Sequence, residues 1–220
     1  MTAGQATEVM VANSGRPRIV LATRSSHKLR ELAQLLHPAR ASLVSLDDLG
    51  VTDEVPEPFA TFEANARNKA RAYARLTGLP VIADDSGLEV DALGGGPGVR
   101  TKRYAGEHAT DADNNRKLIE ALRGLPPERR GARYVCVLAL AIPEADGDVA
   151  VREVRGTCRG RIAGGPKGSG GFGYDPIFEP ASEPPGGRTL GLWTAAEKNR
   201  ISHRARAAAR MAPILQALGY

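Results

Sequence analysis

Two adjacent carboxylates follow a short apolar segment near the middle of the chain. Val81-Ile82-Ala83 is typical of a buried strand, and it runs directly into Asp84-Asp85-Ser86-Gly87. Carboxylate oxygens suit a hard cation such as Mg²⁺, and a carboxylate at a strand end can also orient a water for attack on phosphorus. Because side chains alternate along a strand, we expect Asp84 and Asp85 to face opposite sides. The pair predicts one central carboxylate, although an Asp-Ser-Gly turn without chemistry is about equally compatible with it.

A polar segment between the first apolar strand and the first helical pattern could hold phosphate. A helix N-terminus presents unpaired backbone N–H groups and the positive end of the helix dipole, and hydroxyls and cations would add to both. The glycines of a Walker motif are absent, and a serine N-cap with solvated charges is the simpler interpretation of this segment alone. Its six residues are Thr23, Arg24, Ser25, Ser26, His27 and Lys28.

Two segments nearer the C-terminus could bind a planar base. In Gly171-Phe172-Gly173-Tyr174-Asp175-Pro176, glycines on both sides of Phe172 leave a ring face free for stacking, and Asp175 can accept hydrogen bonds. The second segment offers hydrogen-bond donors beside the apolar stripe of a helix. Taken alone, these segments are more simply a glycine-rich turn and a solvated basic helix face. The donors of the second segment are Lys198, Ser202, His203 and Arg204.

Alternating strand and helix patterns predict an α/β fold with a mixed sheet. Apolar runs at 18–23 and 41–46 predict strands, while 134–142 and 149–158 predict an antiparallel pair around a turn-rich segment. That pair prevents an all-parallel sheet. Apolar spacing predicts a helix that begins at Ser25 or Ser26, and helices over 61–77, over 110–123, and from about 195 to the end.

Bulk composition favours an ordinary globular protein. The chain has 220 residues, of which 42% are apolar, so it can bury a sizeable core. We expect a flexible leader over 1–17 that is not a signal peptide, and one domain over 18–220. No apolar run approaches the ~20 residues that cross a bilayer. Cys136 and Cys158 match no metal spacing, which favours buried free thiols and a cytoplasmic location.

The net charge of +5 does not by itself identify a partner. A basic chain suits nucleic acid or a polyanionic small molecule. Here the basic residues are scattered, and aromatic residues make up only 5% of the chain without interleaving with them. A single-strand-binding surface needs that interleaving, so a nucleic-acid-binding protein is the weaker hypothesis.

The order of the motifs along the chain resembles the inosine triphosphate pyrophosphatase family. A strand–polar turn–helix with Lys28, a Thr-Phe…Asn-Ala…Lys-Ala helix, Asp-Asp-Ser-Gly-Leu, Gly-Gly-x-Pro-Gly, Gly-Phe-Gly-Tyr-Asp-Pro and Ser-His-Arg occur in sequence between Ile19 and Leu218. The resemblance implies an elongated two-lobed α/β fold, with a central mixed sheet flanked by helices and a cleft between the lobes. It further implies a homodimeric, magnesium-dependent enzyme that hydrolyses ITP, dITP and XTP to the monophosphate and pyrophosphate.

The resemblance also implies roles for individual residues. The turn Thr23–Lys28 and Lys69 would hold the triphosphate, and Ser86 would contact the nucleotide. Asp85 would be the catalytic carboxylate and a metal ligand, with Asp84 and Glu63 as further metal ligands. Arg103 matches a family arginine near the cleft. The base would be held by Phe172, Gly173, Tyr174, Asp175, Lys198, His203 and Arg204.

Base selectivity follows from hydrogen-bond chemistry in such a site. Hypoxanthine and xanthine present a carbonyl oxygen at C6, whereas adenine presents an amino group. A buried donor on His203 or Arg204 is satisfied by the oxygen and faces a second donor in adenine. Sites built on polar contacts of this kind discriminate by roughly three orders of magnitude or more. Rejection of GTP needs an unfavourable contact with its 2-amino group, which no residue in the sequence identifies.

Two departures from the family pattern bear on catalysis. Ser25 stands where the family usually has Asn, and Ala64 stands where it has an acidic residue before Asn65. Ala64 cannot bind metal, and Glu63 points about 100° away around the helix. We therefore expect an enzyme with an increased magnesium requirement. The alternatives are a nucleotide-binding protein with weakened catalysis and a Maf-like pyrophosphatase acting on pyrimidine or modified nucleotides.

Overall fold

A seven-stranded mixed sheet organises the part of the chain that the computed structural model describes, residues 15–220. The predicted leader therefore lies largely outside the described residues. The strands are β1 (Arg18–Ala22), β2 (Ser42–Ser45), β3 (Val81–Val90), β4 (Pro97–Gly98), β5 (Gly131–Pro143), β6 (Val149–Ile162) and β7 (Phe178–Pro180). The helices are α1 (Ser26–Leu35), α2 (Phe62–Thr77), α3 (Asp111–Ala121), α4 (Ala195–Ile201) and α5 (His203–Ala217).

The strand order is β2-β1-β3-β5-β6-β7, with β4 paired to β3. Strand β1 runs parallel to β2 and β3, and all other pairs are antiparallel. The predicted antiparallel pair exists as the long β5–β6 hairpin. The prediction of an α/β fold with a central mixed sheet flanked by helices is confirmed.

Strand β3 is longer than the sequence predicts, and this changes the position of the two carboxylates. It continues from Val81 to Val90 and pairs with β5 along this whole length, from Ala141 to Ala132. Asp84 and Asp85 therefore lie within the strand, and the prediction that they follow its end was wrong. Pairing with β5 satisfies the backbone, which outweighs the low strand propensity of Asp, Ser and Gly.

The two faces of the sheet are covered by different helices. Helix α2 packs on one face against residues such as Val81 and Ala83, while α1 and α5 cover the other face, where Ile82 is buried. Alternation then directs Asp85 towards α2 and Asp84 towards α1, which confirms the prediction that the two carboxylates face opposite sides. A third apolar cluster, which includes Leu118 of α3, lies at the far end of the hairpin.

Serine and threonine caps begin the helices at the predicted places. The side chain of Ser25 accepts from the backbone N–H of Lys28, and Thr110 forms a reciprocal capping box with Asp113. The predicted continuous C-terminal helix is instead two helices. Ser202 ends α4 and caps α5 by accepting from the N–H of Ala205, so its extended backbone separates them.

Helix α5 approaches β6 closely because Gly156 has no side chain. A Cβ atom there would collide with the carbonyl oxygen of His203 and the backbone nitrogen of Ala207. Glycine is required at this position for the first turn of α5 to lie against the strand.

Two smaller predictions can be compared with the described residues. Cys136 and Cys158 are free and buried, as predicted. Across 15–220, no helix is long and apolar enough to cross a membrane.

Candidate active site

One cavity of about 830 Å³ brings together segments that are far apart in sequence. Its walls come from the β1–α1 turn, the loop before α2, strand β3, the segment before α3, the glycine-rich loop before β7, and the α4–α5 junction. All the predicted substrate-binding residues line it; their individual roles stay predictions. They are Thr23, Arg24, Ser25, Ser26, His27, Lys28, Lys69, Ser86, Arg103, Phe172, Gly173, Tyr174, Asp175, Lys198, His203 and Arg204.

The N-terminus of α1 forms one end of the cavity. Ser25 uses its hydroxyl as the N-cap, so the first turn of α1 directs its backbone N–H groups towards this end. Lys28 Nζ lies 2.9 Å from Asp84 Oδ2, and Lys69 Nζ forms an ion pair with Glu57. Arg24 instead bonds the neighbouring loop, with 2.8 Å to Asp47 Oδ1. The helix N-terminus with the lysines beside it suits phosphate oxygens.

Asp85 is a buried carboxylate that faces the cavity without a bonded cation. Its Oδ2 accepts from Asn65 Nδ2 at 3.1 Å, and its Oδ1 accepts from the Ser86 backbone N–H at 2.9 Å. Burial and the nearby Glu57 carboxylate raise its pKa to about 6. Above that pH the group is an anion held in place by neutral donors, with its remaining lone pairs towards the cavity.

Asp84 has a different environment on the other face of β3. It is 1% exposed and accepts from Ser86 Oγ at 3.1 Å as well as pairing with Lys28. Although burial opposes ionisation, the cations of Lys28, Lys69 and Arg204 hold its pKa well below the usual range. Asp84 is therefore a counter-ion of Lys28 behind this end of the cavity and does not line it.

A third carboxylate, Glu57, lies in the cavity wall and was missed from the sequence. It belongs to the acidic, proline-containing loop before α2, where it pairs with Lys69 and raises the pKa of Asp85. Glu63, which the resemblance implied as a metal ligand, pairs with Arg155 at 2.6 Å and is outside the cavity lining, as is Ala64. The acidity of the loop was the available signal for Glu57.

The opposite end of the cavity is built around Phe172 and Asp175. Lys198 Nζ lies 4.7 Å from the centre of the Phe172 ring, and the His27 ring stacks on it at 5.0 Å. Asp175 accepts from the Phe172 backbone N–H at 3.0 Å, from Lys198 Nζ at 2.7 Å and from Tyr134 Oη at 3.2 Å. The loop is thus held by a buried carboxylate whose oxygens are already bonded.

The loop conformation itself depends on glycine and on α3. Gly171 has a φ of 74°, and a Cβ there would collide with the Asp175 carboxylate. The backbone of Gly173 donates to Asp111 Oδ2 at 2.7 Å and accepts from Asn115 Nδ2 at 3.1 Å. Helix α3 therefore sets the position of the loop that carries Phe172.

The junction of α4 and α5 places His203 and Arg204 beneath this loop. Arg204 donates to Glu31 Oε2 at 2.5 Å and to Ser86 Oγ at 3.2 Å, while its Nε has no hydrogen-bond partner among residues 15–220. His203 stacks on Tyr134, with ring centres 4.8 Å apart. Burial, with the Arg204 and Lys198 cations, lowers the pKa of His203 well below its usual range, so the ring is neutral.

Tyr134 in the cavity wall and Glu31 behind it are further residues that the sequence did not identify. Glu31 on α1 bonds both Lys198, at 3.0 Å, and Arg204. Neither residue belongs to a motif. The ion-pair partners of Glu31 and the hydrogen-bond partner of Tyr134 all lie more than forty positions away in sequence. Only the packing of α1 and β5 against the α4–α5 junction brings them into contact.

Known proteins resemble this chain over most of its length. Residues 19–214 match the model of the Ham1 family. A protein of Nocardia farcinica (strain IFM 10152) named dITP/XTP pyrophosphatase is 48% identical over 204 residues, which cover 91% of this chain and 96% of that protein. One of Shigella flexneri with the same name is 48% identical over 190 residues, covering 86% and 93%.

Solved structures show the same similarity in three dimensions. A HAM1 protein from Coxiella burnetii superposes with a TM-score of 0.81 at 40% identity, covering 91% of this chain and 99% of that one. A nucleoside-triphosphatase / dITP/XTP pyrophosphatase from Mycobacterium abscessus superposes with a TM-score of 0.70 at 46% identity, covering 89% and 99%.

Proposed function

This chain belongs to the Ham1 family, and from that premise we propose that it hydrolyses dITP, ITP and XTP to the nucleoside monophosphate and pyrophosphate. The family resemblance predicted from the motifs is confirmed. The protein is a hydrolase of nucleoside triphosphates. The observation that supports the substrate assignment is one cavity whose wall includes Lys28 and Lys69, Asp85, and Phe172 of the glycine-rich loop.

Selectivity for a 6-oxo purine is supported by the donors at the base end. Arg204 lines the cavity, and its Nε–H has no hydrogen-bond partner among residues 15–220; because that nitrogen is also closed to solvent, an acceptor on the ligand would bond it only after the guanidinium shifts. Glu31 and Ser86 bond the other guanidinium nitrogens and fix the direction of this donor. A carbonyl oxygen at C6 fits the donor, whereas the 6-amino group of adenine leaves it unpaired.

Cleavage of the α–β phosphoanhydride consumes one water and breaks the P–O–P bridge. Asp85 is ionised above pH about 6 and can accept a hydrogen bond from that water. Lys28, Lys69 and the N-terminus of α1 lie at the phosphate end, where they stabilise negative charge on the pyrophosphate. The chain's own residues thus hold the phosphates and orient a nucleophile.

Magnesium is the cofactor we propose, and the cavity suits it. Among residues 15–220 no three His, Cys, Asp or Glu side chains gather as a metal site. Magnesium commonly binds one or two carboxylates and completes its shell with water and substrate phosphate oxygens. Asp85 and Glu57 would supply the carboxylates here, and the ion would withdraw electrons from the phosphate oxygens.

We also propose that the enzyme is a cytoplasmic homodimer. The dimer is supported by the family resemblance. The location is supported by Cys136 and Cys158, which are both free and buried.

A panel of nucleoside triphosphates assayed for pyrophosphate release with MgCl₂ tests the function. We expect kcat/KM for dITP and XTP to exceed that for dATP by about 10³-fold. Asp85→Asn should reduce kcat for dITP by about 10³-fold, since it removes the carboxylate that accepts from water. Glu57→Gln should raise the magnesium concentration for half-maximal rate by about tenfold.

Three outcomes would contradict the proposal. Preference for pyrimidine or modified nucleotides would indicate the Maf-like activity. Binding of dITP without pyrophosphate release would indicate a nucleotide-binding homologue. Steep salt-dependent binding of DNA or RNA would indicate a nucleic-acid-binding protein.

A further inference from the structure

We propose that Asn65 is a positioning residue that fixes the Asp85 carboxylate relative to the loop carrying Glu57. Asn65 lies in the fourth helical position of α2 and is 1% exposed. This inference rests on the proposed function, because it assigns Asn65 a role in arranging the groups that face the phosphates.

The Asn65 amide uses both of its polar atoms on two different segments. Its Nδ2 donates to Asp85 Oδ2 at 3.1 Å and to the carbonyl oxygen of Phe59 at 3.1 Å. Its Oδ1 accepts from the Phe59 backbone N–H at 2.9 Å. A flipped amide would place its oxygen against the Asp85 carboxylate and its NH₂ against the Phe59 N–H, so the chemistry of the partners determines its orientation.

One face of α2 holds the loop that contains Glu57. Asn65, Lys69 and Tyr73 are spaced four residues apart and therefore lie one above another on the helix. Tyr73 Oη donates to the Asp53 carbonyl oxygen at 2.8 Å, and Lys69 pairs with Glu57. Asn65 extends this row to Phe59 and also reaches across to β3.

The bond to Asp85 determines how the carboxylate faces the cavity. A carboxylate can rotate about its Cβ–Cγ bond, and donors on both oxygens restrict that rotation. The Ser86 N–H binds one oxygen and Asn65 binds the other. Loss of the amide would free Asp85 to rotate and would loosen the Glu57 loop at Phe59. Residues that orient metal or catalytic groups in this way typically affect affinity or rate by about 10- to 100-fold.

Three variants separate positioning from a general effect on the loop. Asn65→Ala removes every contact of the amide. Asn65→Asp keeps the size and the acceptor for the Phe59 N–H, but it places a carboxylate against Asp85. Asn68→Ala is the matched control, because Asn68 lies on the same helix and donates to the same loop, at the Pro56 carbonyl oxygen, 3.1 Å away.

The measurements are kcat and KM for dITP, the MgCl₂ concentration for half-maximal rate, and the melting temperature with and without MgCl₂ in the absence of nucleotide. We expect kcat to fall about 30-fold in Asn65→Ala and further in Asn65→Asp, with KM within about threefold of the wild type. The MgCl₂-induced rise in melting temperature should shrink in both variants. Asn68→Ala should keep kcat, KM, the half-maximal MgCl₂ concentration and the MgCl₂-induced rise in melting temperature within about twofold of the wild type.

The inference is overturned if kcat of Asn65→Ala stays within twofold of wild type, if Asn68→Ala loses as much, or if the MgCl₂-induced rise in melting temperature is unaltered. A wild-type enzyme that releases no pyrophosphate from dITP is a separate result, since it contradicts the proposed function. In that case the melting temperatures alone still decide the inference about Asn65.

Discussion

The two ends of the cavity differ in how their charges are balanced. At the base end, Lys198 lies between the carboxylates of Glu31 and Asp175, and Arg204 shares Glu31, so opposite charges alternate in direct contact. At the phosphate end, Lys28 pairs with Asp84 and Lys69 with Glu57, but Asp85 beside them is held by neutral donors, and the nearby Glu57 carboxylate contributes to raising its pKa to about 6.

This difference indicates what each end requires from the ligand. The charges at the proposed base end are paired within the chain before a nucleotide binds, so the end is preorganised for the base. Glu57 is paired with Lys69, whereas Asp85 has no bonded cation among the described residues, so a further cation near Asp85 would favour its ionised form. On the proposed function, selectivity would be built into the folded chain, whereas the cation that accompanies the substrate would balance the charge of Asp85.

The largest effect on substrate preference should come from Arg204→Lys, which disturbs the end whose charges are all paired. A lysine keeps the charge opposite Glu31 but loses the fork that bonds Ser86 and the unpaired Nε–H. We expect the preference for dITP over dATP, as a ratio of kcat/KM, to fall about 100-fold. Arg206→Lys is the control, since Arg206 is exposed and bonds only the Thr157 backbone among the described residues. An unchanged ratio in Arg204→Lys would show that other residues select the base.

A smaller effect should appear in the free energy of unfolding, through the Asp85 carboxylate. A rise in the pKa of Asp85 from 3.8 to about 6 means that the folded state holds its proton more tightly than the unfolded chain. This contribution to stability is therefore lost as pH rises from about 4 to 6, and it amounts to about 3 kcal/mol. Asp85→Asn gives up about 1 kcal/mol in hydrogen bonding, so without MgCl₂ at pH 7.5 it should be more stable than wild type by about 2 kcal/mol.

Urea denaturation at several pH values measures this difference in the free energy of unfolding. The gain in Asp85→Asn should disappear as the pH approaches 4. Asp84→Asn provides the opposite comparison, because the surrounding cations lower the pKa of Asp84 and its charge stabilises the fold at neutral pH. Asp84→Asn should therefore be destabilised there. A lower free energy of unfolding for Asp85→Asn than for the wild type at pH 7.5 would contradict the view that the Asp85 charge destabilises the fold.

The smallest effect should come from Ala64→Glu. From the sequence, the missing acidic residue predicts an increased magnesium requirement, which this substitution would relieve. In the structure Ala64 lies outside the cavity lining, while Glu57 faces Asp85. We therefore expect the magnesium dependence of dITP hydrolysis to change less than about twofold. If Ala64→Glu needed a tenfold lower magnesium concentration for half-maximal rate, the expectation from the sequence would be supported instead.

Local patterns predicted the parts of the fold that depend on neighbours in sequence. The caps at Ser25 and Thr110 and the hairpin followed from short motifs. The length of β3 did not, because pairing with β5 carries the strand through residues that favour turns. The break at Ser202 was also missed, since the apolar stripe continues across it.

The site shows the same division between local and long-range information. Every substrate-binding residue implied by the motifs lines the cavity, because each motif is short and folds as a unit. Glu57 was missed because it lies on an irregular loop. The position of that loop depends on α2 side chains such as Asn65 and Tyr73, whose contacts no periodic pattern encodes.

The close approach at Gly156 has a consequence for how substrate preference could change. Gly156 touches the backbone of His203, the first residue of α5, from the side of the sheet. Any side chain there must displace the start of α5, and the displacement is transmitted directly to the two residues proposed to read the base. A substitution at Gly156 can therefore alter substrate preference, although Gly156 does not line the cavity and every residue proposed to contact the nucleotide is unchanged.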